Sequence, residues 1–119
     1  MREIKFRAWN VSDTTGNKMY YDVPSNFSTG VYGALMQFTG LKDKNGKEIY
    51  EGDIINYTFW GTTQIVEKYN LSVIFYEGIF SLVIIDNEPL SLRDAIKISN
   101  KAEGIEIIGN IYQNKELLS

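Results

Sequence analysis

Four carboxylates, Asp43, Glu48, Glu51 and Asp53, fall inside one stretch, GLKDKNGKEIYEGDII, from Gly40 to Ile55. Paired carboxylates can hold Mg²⁺ or Ca²⁺ through hard oxygen ligands, or work as a general acid and base. The run DKNG begins like a calcium loop. That loop needs oxygen ligands at alternate positions, glycine at the sixth and glutamate at the twelfth. Here Gly46 is already the fourth residue from Asp43, and Lys42, Lys44 and Lys47 offset the same patch. The stretch therefore reads as a solvated turn. It assigns no metal ligand, no cofactor site and no catalytic residue.

The rest of the chain narrows the chemistry further. It has no cysteine and no histidine. Thiolate nucleophiles, disulfides and thiolate-held zinc are excluded, and so is the commonest general base. The glycines are scattered singly, so no phosphate-cradling loop forms, and no serine occupies a nucleophile elbow. An enzyme using carboxylates and a hard metal is the weakest reading.

Two other sets could bind rather than react. Arg2, Lys5 and Arg7 lie beside Trp9. Cations next to an aromatic can hold a phosphate and stack a base. Against this stand a net charge of −3 and a pI of about 4.9, because nucleic-acid affinity comes largely from Lys and Arg displacing counterions. A solvated strand face, interrupted by Glu3, explains the same residues. The second set is Tyr57, Phe59 and Trp60 in YTFW. These aromatics occupy both faces of one strand, so some point away from a one-sided core, as interface aromatics do.

The elements that must position these residues follow from periodicity. Ile4, Phe6 and Ala8 alternate with Lys5, Arg7 and Trp9, which predicts a strand with one buried face. Residues 10–18 read as a polar loop and Met19–Val23 as a returning strand. PSNFSTGVYG reads as a surface connection, and Ala34–Gly40 as a strand. Asn45-Gly46 predicts a type I′ hairpin turn pairing Leu41–Asp43 with Lys47–Tyr50. Glu51-Gly52 then reverses the chain into a longer strand, Asp53–Trp60, to complete a meander. Residues 61–70 fit either a loop or a hairpin arm. Leu71–Ile85 reads as two apolar strands joined at Glu77-Gly78, in the middle of a sheet. Ser91–Ile98 predicts a short helix capped by Ser91, with Leu92, Ala95 and Ile96 on one face. Ile105–Tyr112 is a last strand, followed by one helical turn. The sum is a single domain, 1–119, mainly β, with roughly seven short strands arranged as a small barrel. The start is no signal peptide, and no stretch is long and apolar enough to span a membrane.

Taken in order, REIKFRAW, KMYYDV, LMQFTGLKDKNGKEIYEGDII, VIFYEGIFSLV and IEIIGNIYQNKELL resemble the YopX family, which is encoded in bacteriophages and prophages. FTGLKDKNGKEIYEGDII and IIGNIYQNKELL are the most specific segments. The resemblance implies a mainly β fold with an SH3-like barrel element, to which the residue pattern adds an N-terminal hairpin and one or two short helices. It also implies life in the cytoplasm of a bacterial host, and self-association. It implies no reaction and carries over no site residue, and residues 10–18 and 61–70 match no family motif. The expected function is a non-catalytic module that binds itself or a host or phage protein. A nucleic-acid-binding accessory of phage replication or transcription is the alternative.

Overall fold

A computed structural model describes residues 3–12, 14, 16–60, 66–84, 88–98 and 103–118, with only the backbone of Phe59, Trp60, Val66, Glu67 and Ile98. Arg2 and residues 61–65 lie outside the described residues. The fold is mainly β, with a curled half-barrel sheet and a small helix. Strands β1 (Phe6–Asn10), β2 (Lys18–Val23), β3 (Ala34–Lys42) and β4 (Glu48–Tyr50) form one sheet in the order β2-β1-β3-β4. Strands β5 (Asp53–Trp60), β6 (Val66–Tyr76), β7 (Ile79–Leu82), β8 (Leu90–Ser91) and β9 (Ile105–Asn110) form the other, in the order β8-β7-β6-β5-β9.

Both hairpin turns exist, but the type I′ geometry expected at Asn45-Gly46 occurs at Glu77-Gly78 instead. Asp43 and Lys47 face each other, and the Gly46 N–H donates to the Asp43 carbonyl at 3.0 Å. Only Gly46 has positive φ there, at 79°. The turn is thus type I followed by a left-handed glycine, the three-residue hairpin solution, and not type I′. At Glu77-Gly78 both residues have positive φ, 47° and 82°, between the paired Tyr76 and Ile79. That pattern is the type I′ turn.

Glu51-Gly52 is not a hairpin. β4 and β5 belong to different sheets, so the expected meander is replaced by a corner between layers. Gly52 has φ 85° and is buried. Its N–H donates to the Val73 carbonyl at 2.9 Å, and its carbonyl accepts the Ile111 N–H at 2.9 Å. A Cβ here would sit 3.0 Å from Met36 Sδ. Both the conformation and the crowding call for glycine.

Residues 66–70 resolve as a hairpin arm, since β5 and β6 pair from Ile54↔Ser72 to Trp60↔Val66. β6 and β7 sit inside the sheet, as their continuous apolarity requires. Helix α1 (Leu92–Ile98) is capped as expected: the Asp94 N–H donates to Ser91 Oγ at 3.1 Å. Leu92 and Ala95 are fully buried, and Ile96 packs beside them. The core joins this helix to Ile55, Tyr57, Val73, Leu82 and Ile105 of the larger sheet and Ile49 of β4. The last strand stops at Asn110, and a 3₁₀ turn follows at Lys115–Leu118. Asn110 Oδ1 accepts the N–H groups of Tyr112 and Gln113 at 3.0 and 2.9 Å, which curls the chain out of the sheet.

Candidate functional site

The acidic patch is not a solvated turn. Asp43 and Asp53 are buried. Asp43 Oδ1 accepts the N–H groups of Asn45 and Lys47, each at 2.9 Å, and Oδ2 accepts the Ile107 N–H of β9 at 3.0 Å. The Lys44 N–H also donates to the Ile105 carbonyl at 2.9 Å, and Lys44 Nζ lies 3.6 Å from Glu106. The hairpin tip therefore caps the outer edge of β9. The carboxylate's lone pairs are satisfied by backbone amides rather than by neighbouring lysines, because burial leaves no water to do it.

Asp53 starts β5 at the sheet junction. Its Oδ1 accepts from the Arg7 guanidinium at 2.8 Å, and its Oδ2 accepts the Tyr50 N–H at 2.8 Å. Burial pushes its carboxyl above the ordinary carboxylate range, while Arg7, the Tyr50 amide and Lys47 pull it back. Glu51 Oε1 accepts the Gln37 N–H at 2.9 Å, and Glu48 is bound by Lys5. All four carboxylates are engaged in holding the chain together.

The basic set is taken apart in the same way. β1 is an inner strand, and Arg7, Ala8 and Trp9 are all buried, so the expected single buried face becomes two. Arg7 lies over the Tyr50 ring at 4.8 Å and donates to the Glu51 carbonyl at 3.2 Å, and its Nε has no partner among the described residues. Trp9 stacks on Tyr112 at 5.9 Å between centroids rather than standing free for a base. Lys5 is paired with Glu3 and Glu48, and its hydrogen bond to Glu48 raises its pKa. Ile4, assigned to the buried face, is exposed.

Tyr57 is likewise inside, not on an interface. It is 5% exposed, and its buried hydroxyl has no hydrogen-bond partner among the described residues. Burial raises its pKa. Inner position between β6 and β9 places this residue in the core. The side chains of Phe59 and Trp60 lie outside the described residues.

The exposed apolar residues are elsewhere. Val31 and Tyr32 are 91% and 81% exposed, in the connection between β2 and β3. Phe75 and Ile79 are half-exposed around the Glu77-Gly78 turn. A groove of about 120 Å³, open to solvent, lies between Thr39, Leu41, Gly78, Ile79, Phe80 and Arg93. One signal for the first pair was present in the sequence: from Val23 to Leu41 there is no charged residue. The groove had none, because it is assembled from three separate segments.

A family model described as YopX protein matches residues 7–119. The chain belongs to the YopX family. Two solved structures are similar to it over the whole of both chains. One is protein EF1440 from Enterococcus faecalis, at 25% identity and a TM-score of 0.62. The other is protein yopX from Bacillus subtilis, at 23% identity and a TM-score of 0.63. No curated protein matches. Within this YopX-family chain the two specific segments named above now have physical roles. GLKDKNGKEIYEGDII supplies the β9 cap and the inter-sheet corner, and IIGNIYQN supplies the Asn110 exit. Among the described residues, no helix is long and apolar enough to cross a membrane.

Proposed function

We propose that this YopX-family chain is a phage-encoded, non-catalytic binding module of the bacterial cytoplasm, which contacts itself or a host or phage protein. The observation that carries this reading is the contrast between its polar and apolar groups. The charged side chains with chemical potential, Asp43, Asp53 and Arg7, are buried in internal bonds, while Val31, Tyr32, Phe75 and Ile79 face solvent. Exposed apolar side chains on a rigid β scaffold suit protein contact. The curled sheet is the part that an SH3-like barrel would share.

Light scattering together with a pull-down from host lysate tests the proposal. Self-association or a reproducible, saturable partner supports it, and a monomer that captures nothing overturns it. The nucleic-acid reading has lost Arg7 and Trp9 to the interior and Lys5 to ion pairs. A mobility shift at about 50 mM salt that weakens steeply as salt rises would restore it.

A further inference from the structure

We infer that Asn45 is a self-modifying site: its side-chain amide cyclises onto the Gly46 nitrogen, Asp43 holds that reaction back, and the isomerised product releases the cap on β9. The inference is independent of the binding reading above.

The reaction needs only water. A solvent base removes the Gly46 amide proton, and the nitrogen attacks Asn45 Cγ to form a cyclic imide. The side-chain nitrogen leaves as ammonia after taking a proton from solvent. Water then opens the ring on either side. Cleavage of the new bond between nitrogen and Cγ leaves aspartate on an unchanged chain path. Cleavage of the bond to the backbone carbonyl carbon frees the α-carboxylate and routes the chain through Cβ and Cγ, so the main chain gains a methylene.

The hairpin tip supplies what this chemistry requires. Asn45-Gly46 is the only Asn-Gly pair in the sequence, and both residues are exposed. Gly46 has no side chain to hinder the attacking nitrogen, and a Cβ there would meet nothing within 4 Å. Lys44 and Lys47 flank the amide, and nearby cations favour loss of its proton.

The fold opposes it through one residue. The Gly46 N–H is donated to the Asp43 carbonyl at 3.0 Å, and Asp43 Oδ1 holds the Asn45 and Lys47 N–H groups at 2.9 Å. The carboxylate also disfavours an anion forming between those two amides. Attack requires the Gly46 N–H to leave its acceptor and the chain to rotate about Asn45. The reactive state is therefore a locally opened tip, and Asp43 is the positioning residue that sets how often it opens.

The product acts on β9. Asp43 Oδ2 accepts the Ile107 N–H at 3.0 Å, and the Asp43 N–H closes the turn on the Lys47 carbonyl at 2.9 Å. An added methylene between Asn45 and Gly46 does not fit that closure, so isomerisation draws Asp43 off its amides and leaves β9 with an open edge. Plain conversion to aspartate does not, because the Asn45 side chain makes no hydrogen bond among the described residues.

Incubation of the purified chain at neutral pH tests this, with peptide mapping that separates asparagine, aspartate and the isomerised residue at position 45. Asp43→Ala should speed the loss of asparagine at least about tenfold, the factor by which about 1.4 kcal/mol raises the open population. Asp43→Asn, which keeps one acceptor, should speed it by a smaller factor and carries the test if circular dichroism shows that Asp43→Ala is unfolded. Arg7→Met weakens the fold away from the tip and should leave the rate unchanged. Amide exchange at Ile107 should quicken in the isomerised fraction. It should stay slow in Asn45→Asp and in an equally aged Gly46→Ala chain. Asp43 variants that react no faster than the parent, equal acceleration by Arg7→Met, or unchanged Ile107 exchange in the isomerised chain would overturn the inference.

Discussion

Arg7 and Asp53 are each about 4% exposed at the side chain, and together they fix the junction between the sheets. Removing one partner of a buried pair leaves the other charge uncompensated, so Arg7→Met should cost about 3–5 kcal/mol in urea unfolding. The loss has a pH signature. Burial raises the folded pKa of Asp53, and a raised carboxyl contributes stability below its unfolded pKa that fades as pH rises through the folded one. Without Arg7 that rise grows. Arg7→Met should therefore regain stability on acidification toward about pH 4, the ordinary carboxylate range, and a deficit unchanged between pH 7 and 4 would contradict this. Tyr57 offers the opposite case. Its hydroxyl, buried without a partner among the described residues, carries a desolvation cost, so Tyr57→Phe should raise the melting temperature, with a gain of about 1 kcal/mol in stability. Neither role was legible in the sequence. A carboxylate satisfied by an amide far along the chain looks identical there to one satisfied by water. Likewise, Arg7 reads as surface because its partner lies 46 residues away.

The turns carry most of what the sequence did reveal. Their positions at Asn45-Gly46, Glu51-Gly52 and Glu77-Gly78 followed from glycine spacing alone. Their types did not, because φ at the residue before glycine depends on which strands must pair. Glu77 adopts φ 47°, a conformation costing a side chain about 1–2 kcal/mol and tolerated better by asparagine. Glu77→Asn should accordingly stabilise the protein by a few tenths to about 1 kcal/mol, measured by thermal melting. The glycines also rank unequally. Gly46 has open space around its missing Cβ, whereas Gly52 meets Met36 as well as needing positive φ. Gly52→Val should lose clearly more than about 2 kcal/mol, and Gly46→Ala only about 1. Helix α1 was legible in full because its cap and its apolar face are both local patterns, at Ser91 and at Leu92, Ala95 and Ile96.

The two sheets are joined at the Gly52 corner, the Arg7–Asp53 pair and the Asp43 cap on β9, and by the packing of Ile49 into the core. Layering of this kind is long-range information, and sequence periodicity supplies only which residues form strands. That is why a mainly β class was readable while the passage from β4 into a second sheet was not. If these joints couple the sheets, Asp43→Ala should cost about 3 kcal/mol, since three amides lose a charged acceptor. Amide exchange at Ile107 should quicken more than exchange elsewhere in β9, and equal exchange along the strand would argue against the cap. The same joint has a consequence in time. Asp43 and its partner Ile107 are separated by 64 residues, and ribosomes add about 5–20 residues each second. For roughly 3–13 seconds of synthesis the hairpin tip exists without the strand it covers, and β5 has an unpaired side. The nascent chain passes through that interval with an open edge of the kind that recruits other strands, so the slowest hazard in its life precedes completion of the fold.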